Sequence, residues 1–184
     1  MTSSQIALLA PLRNFPELLK MKICIVYSSI TGNTRTVADA LAAVSGAPCF
    51  PVRDAPDPAD YELLALGFWV RLGRADARAQ RYMRRVRGKK VFFFGTLGAW
   101  PDSAHARRCT DGARALLEKG GNTVLDGFLC QGRVNPKILA LSQRKGRHPM
   151  TPERRARLEE AARHPDAADL AEAKRRWRDV LKQA

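Results

Sequence analysis

A doubly wound α/β sheet is the fold this sequence predicts: five parallel strands, helices on both faces and further helices at the C-terminal end. Three observations predict it. Apolar, β-branched or aromatic runs alternate five times with stretches whose apolar residues recur at helical spacing. The first run passes into its helix through a short, hydroxyl-rich turn with no linker. Glycine-bearing aromatic segments then follow the third and fourth runs, where sheets of this class bind ligands.

The elements follow in order. Residues 22–27 form the first strand and 34–44 the first helix, with Val37, Ala38, Leu41 and Val44 on one face. A short second strand lies around 49–52, before the proline-rich loop Asp54-Ala-Pro-Asp-Pro58. Residues 61–69 are apolar except for Glu62 and Gly67, as a strand buried on both faces should be. A helix at 75–86 leads to the fourth strand, 89–95, which contains Val91-Phe-Phe-Phe94. Asp102 or Ser103 caps the next helix, with Ala106, Cys109, Ala113 and Leu116 inward and Gly120-Gly121 ending it near Lys119. Residues 123–130 are the fifth strand. Thr151-Pro152-Glu153 opens a helix through Arg163, and Leu170, Ala173, Trp177 and Val180 mark an amphipathic last helix. Trp177 sits on its apolar face and reads as core.

The chain has 184 residues, the size of one domain, and its 45% hydrophobic and 27% charged content is that of a soluble globular protein. No stretch approaches the ~20 apolar residues that span a bilayer. Cys24, Cys49, Cys109 and Cys130 show no C-x-x-C spacing and read as reduced structural thiols of a cytoplasmic protein. Residues 1–20 include a short apolar run broken by Pro11, with no basic leader, so they make a poor secretory signal. They read as a dispensable extension, and 21–184 as one domain.

The net charge is +14, and residues 71–90 hold nine Lys or Arg against one Asp. That stretch nevertheless has a helical stripe of Ala79, Met83 and Val86, and it lacks the interleaved aromatics that stack on bases. Nucleic acid is therefore not the expected partner. An acidic protein or an anionic small molecule is. His105, His148 and His164 are scattered without metal-ligand spacing, and no catalytic triad is legible, so neither a metal nor a catalytic side chain is assigned. His105 reads as a helix-surface residue.

The turn Ser28-Ser-Ile-Thr-Gly-Asn-Thr34 is a seat for a phosphate. First-turn N–H groups and the helix dipole favour an anion there, the hydroxyls of Ser29, Thr31 and Thr34 add donors, and Gly32 permits positive φ. The turn lacks the lysine of a P-loop and the glycines of the dinucleotide fingerprint. Neutral donors suit a phosphate held in place rather than one being transferred. The segments Gly67-Phe-Trp-Val-Arg-Leu-Gly73 and Gly95-Thr-Leu-Gly-Ala-Trp-Pro-Asp102 each bring a tryptophan to a strand's carboxyl end, where a planar amphipathic ring can be held.

Ser29-Ile-Thr-Gly-Asn-Thr34 closely resembles the flavodoxin signature that grips the phosphate of FMN. With the loops around Trp69 and Trp100, the resemblance runs from Met21 to about Val134. The fifth strand lacks an inserted loop, as in the short-chain group. The Gly67-Phe-Trp69 and Gly95–Ser103 runs and His148-Pro-Met-Thr-Pro-Glu153 look like a branch distinct from the acidic carriers. The resemblance implies a non-covalently held FMN touching Ser29, Ile30, Thr31, Gly32, Asn33, Thr34, Gly67, Phe68, Trp69, Val70, Thr96, Leu97, Gly98, Ala99, Trp100 and Asp102. In that family a backbone carbonyl after the third strand accepts a hydrogen bond from flavin N5–H, and Gly67 is the nearest flexible residue here.

Standard flavodoxins are acidic, whereas Arg71 and Arg74 flank the first ring loop here. Cations there favour the reduced, anionic flavin and mark the side of a substrate or partner. Three functions follow. The first is an electron carrier whose cofactor does the chemistry. The second is an oxidoreductase of the same fold acting on an anionic tetrapyrrole or a quinone, resembling a protoporphyrinogen oxidase or quinone reductase. The third is a basic binding module without redox activity.

Overall fold

The computed structural model describes residues 21–144 and 149–184; the expected extension at 1–20 and His148 lie outside the described residues. The strands are β1 (Ile23–Tyr27), β2 (Cys49–Pro51), β3 (Leu63–Arg71), β4 (Arg74–Ala75), β5 (Lys90–Leu97) and β6 (Thr123–Gln131). The helices are α1 (Asn33–Ser45), α2 (Ala77–Met83), α3 (Ala104–Glu118), α4 (Pro136–Arg144), α5 (Pro152–Ala161) and α6 (Ala167–Gln183). Five strands pair in parallel in the order β2-β1-β3-β5-β6. This is the doubly wound order, with its switch point between β1 and β3.

Strand pleating sends alternate residues into two apolar layers. Ile23, Ile25, Leu63, Ala65, Phe92 and Phe94 face α1 and α6, where Val37, Leu41 and Trp177 are fully buried. The Trp177 ring centroid lies 5.5 Å from that of Phe92, so it is core as the sequence suggests. Cys24, Leu64, Leu66, Phe68, Val91 and Phe93 face the other way, against Met83, Ala113 and Leu117 of α2 and α3. All four cysteines are free, and burial pushes the thiol of Cys24 up to about 12 and that of Cys49 up to about 11, so both stay protonated at neutral pH.

Two stretches depart from the sequence expectation. The predicted glycine loop at 67–73 is strand as far as Arg71, because Trp69 pairs with Thr96 of β5 and Val70 and Arg71 pair with β4. Leu72 and Gly73, with φ of 50° and 78°, make the two-residue turn between β3 and β4. Gly67 is therefore not a hinge. It pairs with Tyr27 and Phe94 inside the sheet, and a Cβ there would collide with the Phe94 ring. The predicted helix at 75–86 is shorter because Ala75 belongs to β4 and Asp76 is the N-cap of α2. Helix α4 was not foreseen, although Asn135-Pro136 is a helix-start signal: the Asn135 side chain accepts a hydrogen bond from Lys137 N–H.

At the junction of α5 and α6, His164 Nδ1 lies 2.5 Å from Asp169 Oδ2, and Nε2 lies 3.1 Å from Glu160 Oε1. Asp169 also receives the Asp166 N–H in a reciprocal capping box, so His164, Asp166 and Asp169 satisfy one another. The Asp169 hydrogen bond raises the His164 pKa above its ordinary value.

Two consequences are measurable. Gly67→Ala should cost about 1–3 kcal/mol in urea denaturation through overpacking against Phe94. A raised folded pKa means that the stabilisation from His164 is complete below about pH 6.5 and is lost as pH rises through the folded value. The unfolding midpoint should therefore fall over that window, and His164→Gln should remove the fall.

Candidate functional site

The carboxyl ends of β1, β3 and β5 converge on the N-terminus of α1. Gly32, at φ 93°, is the N-cap of α1 and makes no side-chain cap, and the first turn holds no acid. Nothing lies within 4 Å of where a Gly32 Cβ would stand, so glycine is required there by its φ rather than by space. The Gly32 N–H donates to Ser29 Oγ at 3.1 Å, and the first bond back into the helix runs from Thr36 N–H to the Gly32 carbonyl at 2.9 Å. The earlier N–H groups of that turn thus face the anion position without a competing carboxylate.

Below the turn, the hydroxyls of the fully buried Thr34 and of Thr96 are 2.9 Å apart, joining α1 to β5. Ser28 Oγ donates to Asp76 Oδ1 at 2.9 Å, and the same oxygen accepts the N–H groups of Arg78 and Ala79. Asp76 N–H donates to the Trp69 carbonyl at 3.1 Å. One buried aspartate therefore holds the start of the phosphate turn, the end of β3 and the start of α2 in a fixed relation.

A cleft enclosing about 80 Å³ opens beside this turn. Ile30, Thr31, Asn33, Trp69, Val70, Thr96, Leu97 and Gly98 line it, so half of the expected contact residues share one wall. Ser29, Gly32 and Thr34 shape the turn behind them. Gly67 and Phe68 lie elsewhere: Phe68 is fully buried on the α2–α3 side with its ring stacked on Phe93, because the pleat that turns Trp69 to the cleft turns its neighbour away. Ala99, Trp100 and Asp102 belong to the loop before α3, outside the cleft lining, and Trp100 is 45% exposed.

Sequence reasoning missed the opposite wall, Gly132, Arg133, Val134, Asn135 and Ile138. Asn33 Nδ2 donates to the Arg133 carbonyl at 3.0 Å, and Val134 packs where a Gly98 side chain would be. The signal was present in position alone, since this segment leaves the carboxyl end of β6. Arg71 and Arg74 do not line the cleft. They line a separate groove of about 550 Å³ with Leu72, Asp76, Arg81 and Arg84. The cation at the cleft is Arg133.

The Flavodoxin domain family matches residues 24–177. The chain belongs to that family. Flavodoxin-like domain-containing protein BilS of Clostridium symbiosum is 30% identical, over 82% of this chain and 91% of that protein. BilS of Clostridioides difficile is 27% identical, over 83% and 92%. Among solved structures, a flavodoxin from the domain Archaea overlays with a TM-score of 0.55 at 18% identity, covering 89% of this chain and 98% of that one. Flavodoxin 1 of Bacillus cereus overlays at 0.58 and 17% identity, covering 88% and 98%. Both overlays show the flavodoxin-like fold.

The residues present fit the FMN that this family implies. An acid-free helix N-terminus with hydroxyls suits its phosphate, and Trp69 and Val70 give the ring an apolar wall. Among the described residues no helix is long and apolar enough to cross a membrane.

Asp76→Ala should destabilise the fold by about 2 kcal/mol, from the lost cap and the orphaned Ser28 hydroxyl. It should also loosen the phosphate turn, seen as faster amide exchange over residues 28–34.

Proposed function

We propose that the chain is an FMN-binding electron carrier of the flavodoxin family that exchanges electrons with an acidic redox protein. The observation that carries this reading is the single cleft onto which an uncompensated helix N-terminus and Trp69 both open. When bound, FMN supplies the redox chemistry, and the protein supplies binding and electrostatics. Thr31 and the first-turn N–H groups of α1 would hold the phosphate. Arg133, exposed at the cleft and without a carboxylate partner among the described residues, favours the reduced anionic flavin.

That arginine also favours a second reading, an oxidoreductase of the same fold whose substrate is an anionic tetrapyrrole or a quinone, since Arg grips carboxylates in bidentate fashion. Turnover of a porphyrin, bilin or quinone by the purified flavin-loaded protein, with no protein partner, would favour the enzyme over the carrier.

The purified protein should be yellow and hold one FMN per chain by absorbance. A colourless protein that takes up no added FMN would defeat both redox readings and leave the basic binding module. Thr31→Val should weaken FMN binding by about 1.5–3 kcal/mol, roughly tenfold or more, through one lost hydrogen bond to a charged group. Arg133→Gln should lower the midpoint potential by the equivalent of ~1 kcal/mol. A titration with no downward shift would remove Arg133 from the flavin's surroundings.

A further inference from the structure

Five large apolar side chains stand well out of the described surface: Leu72 is 85% exposed, Leu141 54%, Ile30 52%, Trp100 45% and Ile138 41%. All five lie on segments that leave the carboxyl ends of β1, β3, β5 and β6. Ile30 and Ile138 line the cleft already described, whereas Leu72 and Trp100 lie outside its lining. Leu72 is the extreme case. It tips the β3–β4 turn in a left-handed conformation, φ 50°, which a side-chain-bearing residue adopts at a cost of roughly 1 kcal/mol. The turn lies against the start of α3, since a Cβ on Gly73 would be 3.6 Å from His105 Cε1, and the Trp100 loop enters that same helix start, where the Ser103 hydroxyl donates to the Trp100 carbonyl.

The charge around this face is one-sided. Arg71, Arg74 and Arg81 line the groove beside Leu72, and Arg78 and Arg81 line a second cleft of about 240 Å³ on the next turn of α2. Among the described residues none of these four arginines has a carboxylate within ion-pair distance. The acid lining the groove is Asp76, and it is buried with one oxygen committed to Ser28 and the N-terminus of α2. Three unpaired arginines beside the exposed Leu72, a fourth on the next cleft, and an exposed tryptophan on the loop entering the neighbouring helix match the anatomy of a protein interface, an apolar centre inside a charged rim. A small anion has no use for the apolar residues, and a nucleic acid would find one exposed aromatic rather than a stacking series.

We propose that this face, the β3–β4 turn with the flanking arginines of α2, is the docking surface for an acidic protein partner. Leu72 and Trp100 form its apolar centre, and Arg71, Arg74, Arg78 and Arg81 meet the partner's carboxylates. The purpose of docking rests on the carrier reading; the surface itself does not require flavin. Rim cations of this kind steer encounter and set its salt dependence, while the apolar centre governs how long the complex lasts.

The test uses the purified flavin-loaded protein and a plant-type ferredoxin, an acidic iron–sulfur carrier, as the probe. Anisotropy of labelled ferredoxin reads binding. Stopped-flow absorbance reads the passage of one electron from the reduced cluster, which is oxidised, to the flavin, which is reduced. Arg71→Glu with Arg74→Glu should weaken binding at least tenfold and slow electron passage in step. Arg178→Glu with Lys182→Glu, the same change of charge on α6 across the sheet, should weaken it less than threefold. Leu72→Asn, which suits the left-handed turn, should weaken binding at least threefold while leaving the unfolding midpoint unchanged or higher. Equal losses in the two charge-reversed pairs would reduce the effect to net charge and overturn the proposal, as would full binding by Leu72→Asn. A protein that lacks flavin fails the carrier reading alone, because the anisotropy arm still decides the surface. Flavin retained with binding indifferent to Arg71 and Arg74 defeats the surface alone.

Discussion

The buried carboxylate of Asp76 is the interaction on which the functional end of this molecule depends. One of its oxygens accepts from the Ser28 hydroxyl and from two N–H groups of α2, while its own N–H donates to the Trp69 carbonyl. Three pieces of chain meet there: the phosphate turn, the ring-side end of β3 and the start of α2. A carboxylate can do this because one oxygen accepts several donors at once, and because burial strengthens each bond while making any defect costly. The second oxygen has no partner among the described residues, so the arrangement is maintained by geometry rather than by full satisfaction of the group.

The rest of the sheet supplies the rigidity that this junction needs. Gly67 and Gly127 lie within β3 and β6 where a Cβ would run into Phe94 and Phe93, so large rings on β5 occupy space vacated by glycines on neighbouring strands. The strands are thereby locked in register up to their carboxyl ends. Trp69 reaches the cleft because its position in the pleat is set by this register, and Phe68 is turned into the opposite layer for the same reason. On the α1 side, the Thr34–Thr96 hydroxyl pair and the Asn33 bond to the Arg133 carbonyl draw the helix N-terminus and the segment after β6 toward the same opening.

Charge is distributed unevenly over this end of the fold. The cleft offers neutral donors and one arginine, whereas the strands flanking the β3–β4 turn and α2 carry Arg71, Arg74, Arg78 and Arg81, four of the nine cations in the basic stretch. A helix packed on the sheet by Ala79, Tyr82 and Met83 presents its other residues outward, and here these include Arg78 and Arg81. What reads in sequence as a basic helix with an apolar stripe is thus also one wall of two grooves. The local pattern is the same in either case, and only the neighbouring turn makes the surface concave.

The sequence by itself determined the alternation of elements, the parallel sheet, the acid-free phosphate turn and the core role of Trp177. These depend on periodicity and on residues adjacent in the chain, where composition and conformation are directly linked. Tertiary structure alone decided three things: that Gly67 is a packing glycine, that Arg71 and Arg74 belong to a groove separate from the cleft, and that 132–138 closes the site. Each depends on which residue of another strand stands opposite, and a register of parallel strands joined by long crossovers leaves no local trace. The β3–β4 turn lies between the two cases. Its Leu-Gly pair carries half of the usual signal, the glycine, but leucine at the first position conceals it, because side-chain-bearing residues rarely accept positive φ unless the surrounding strands impose it.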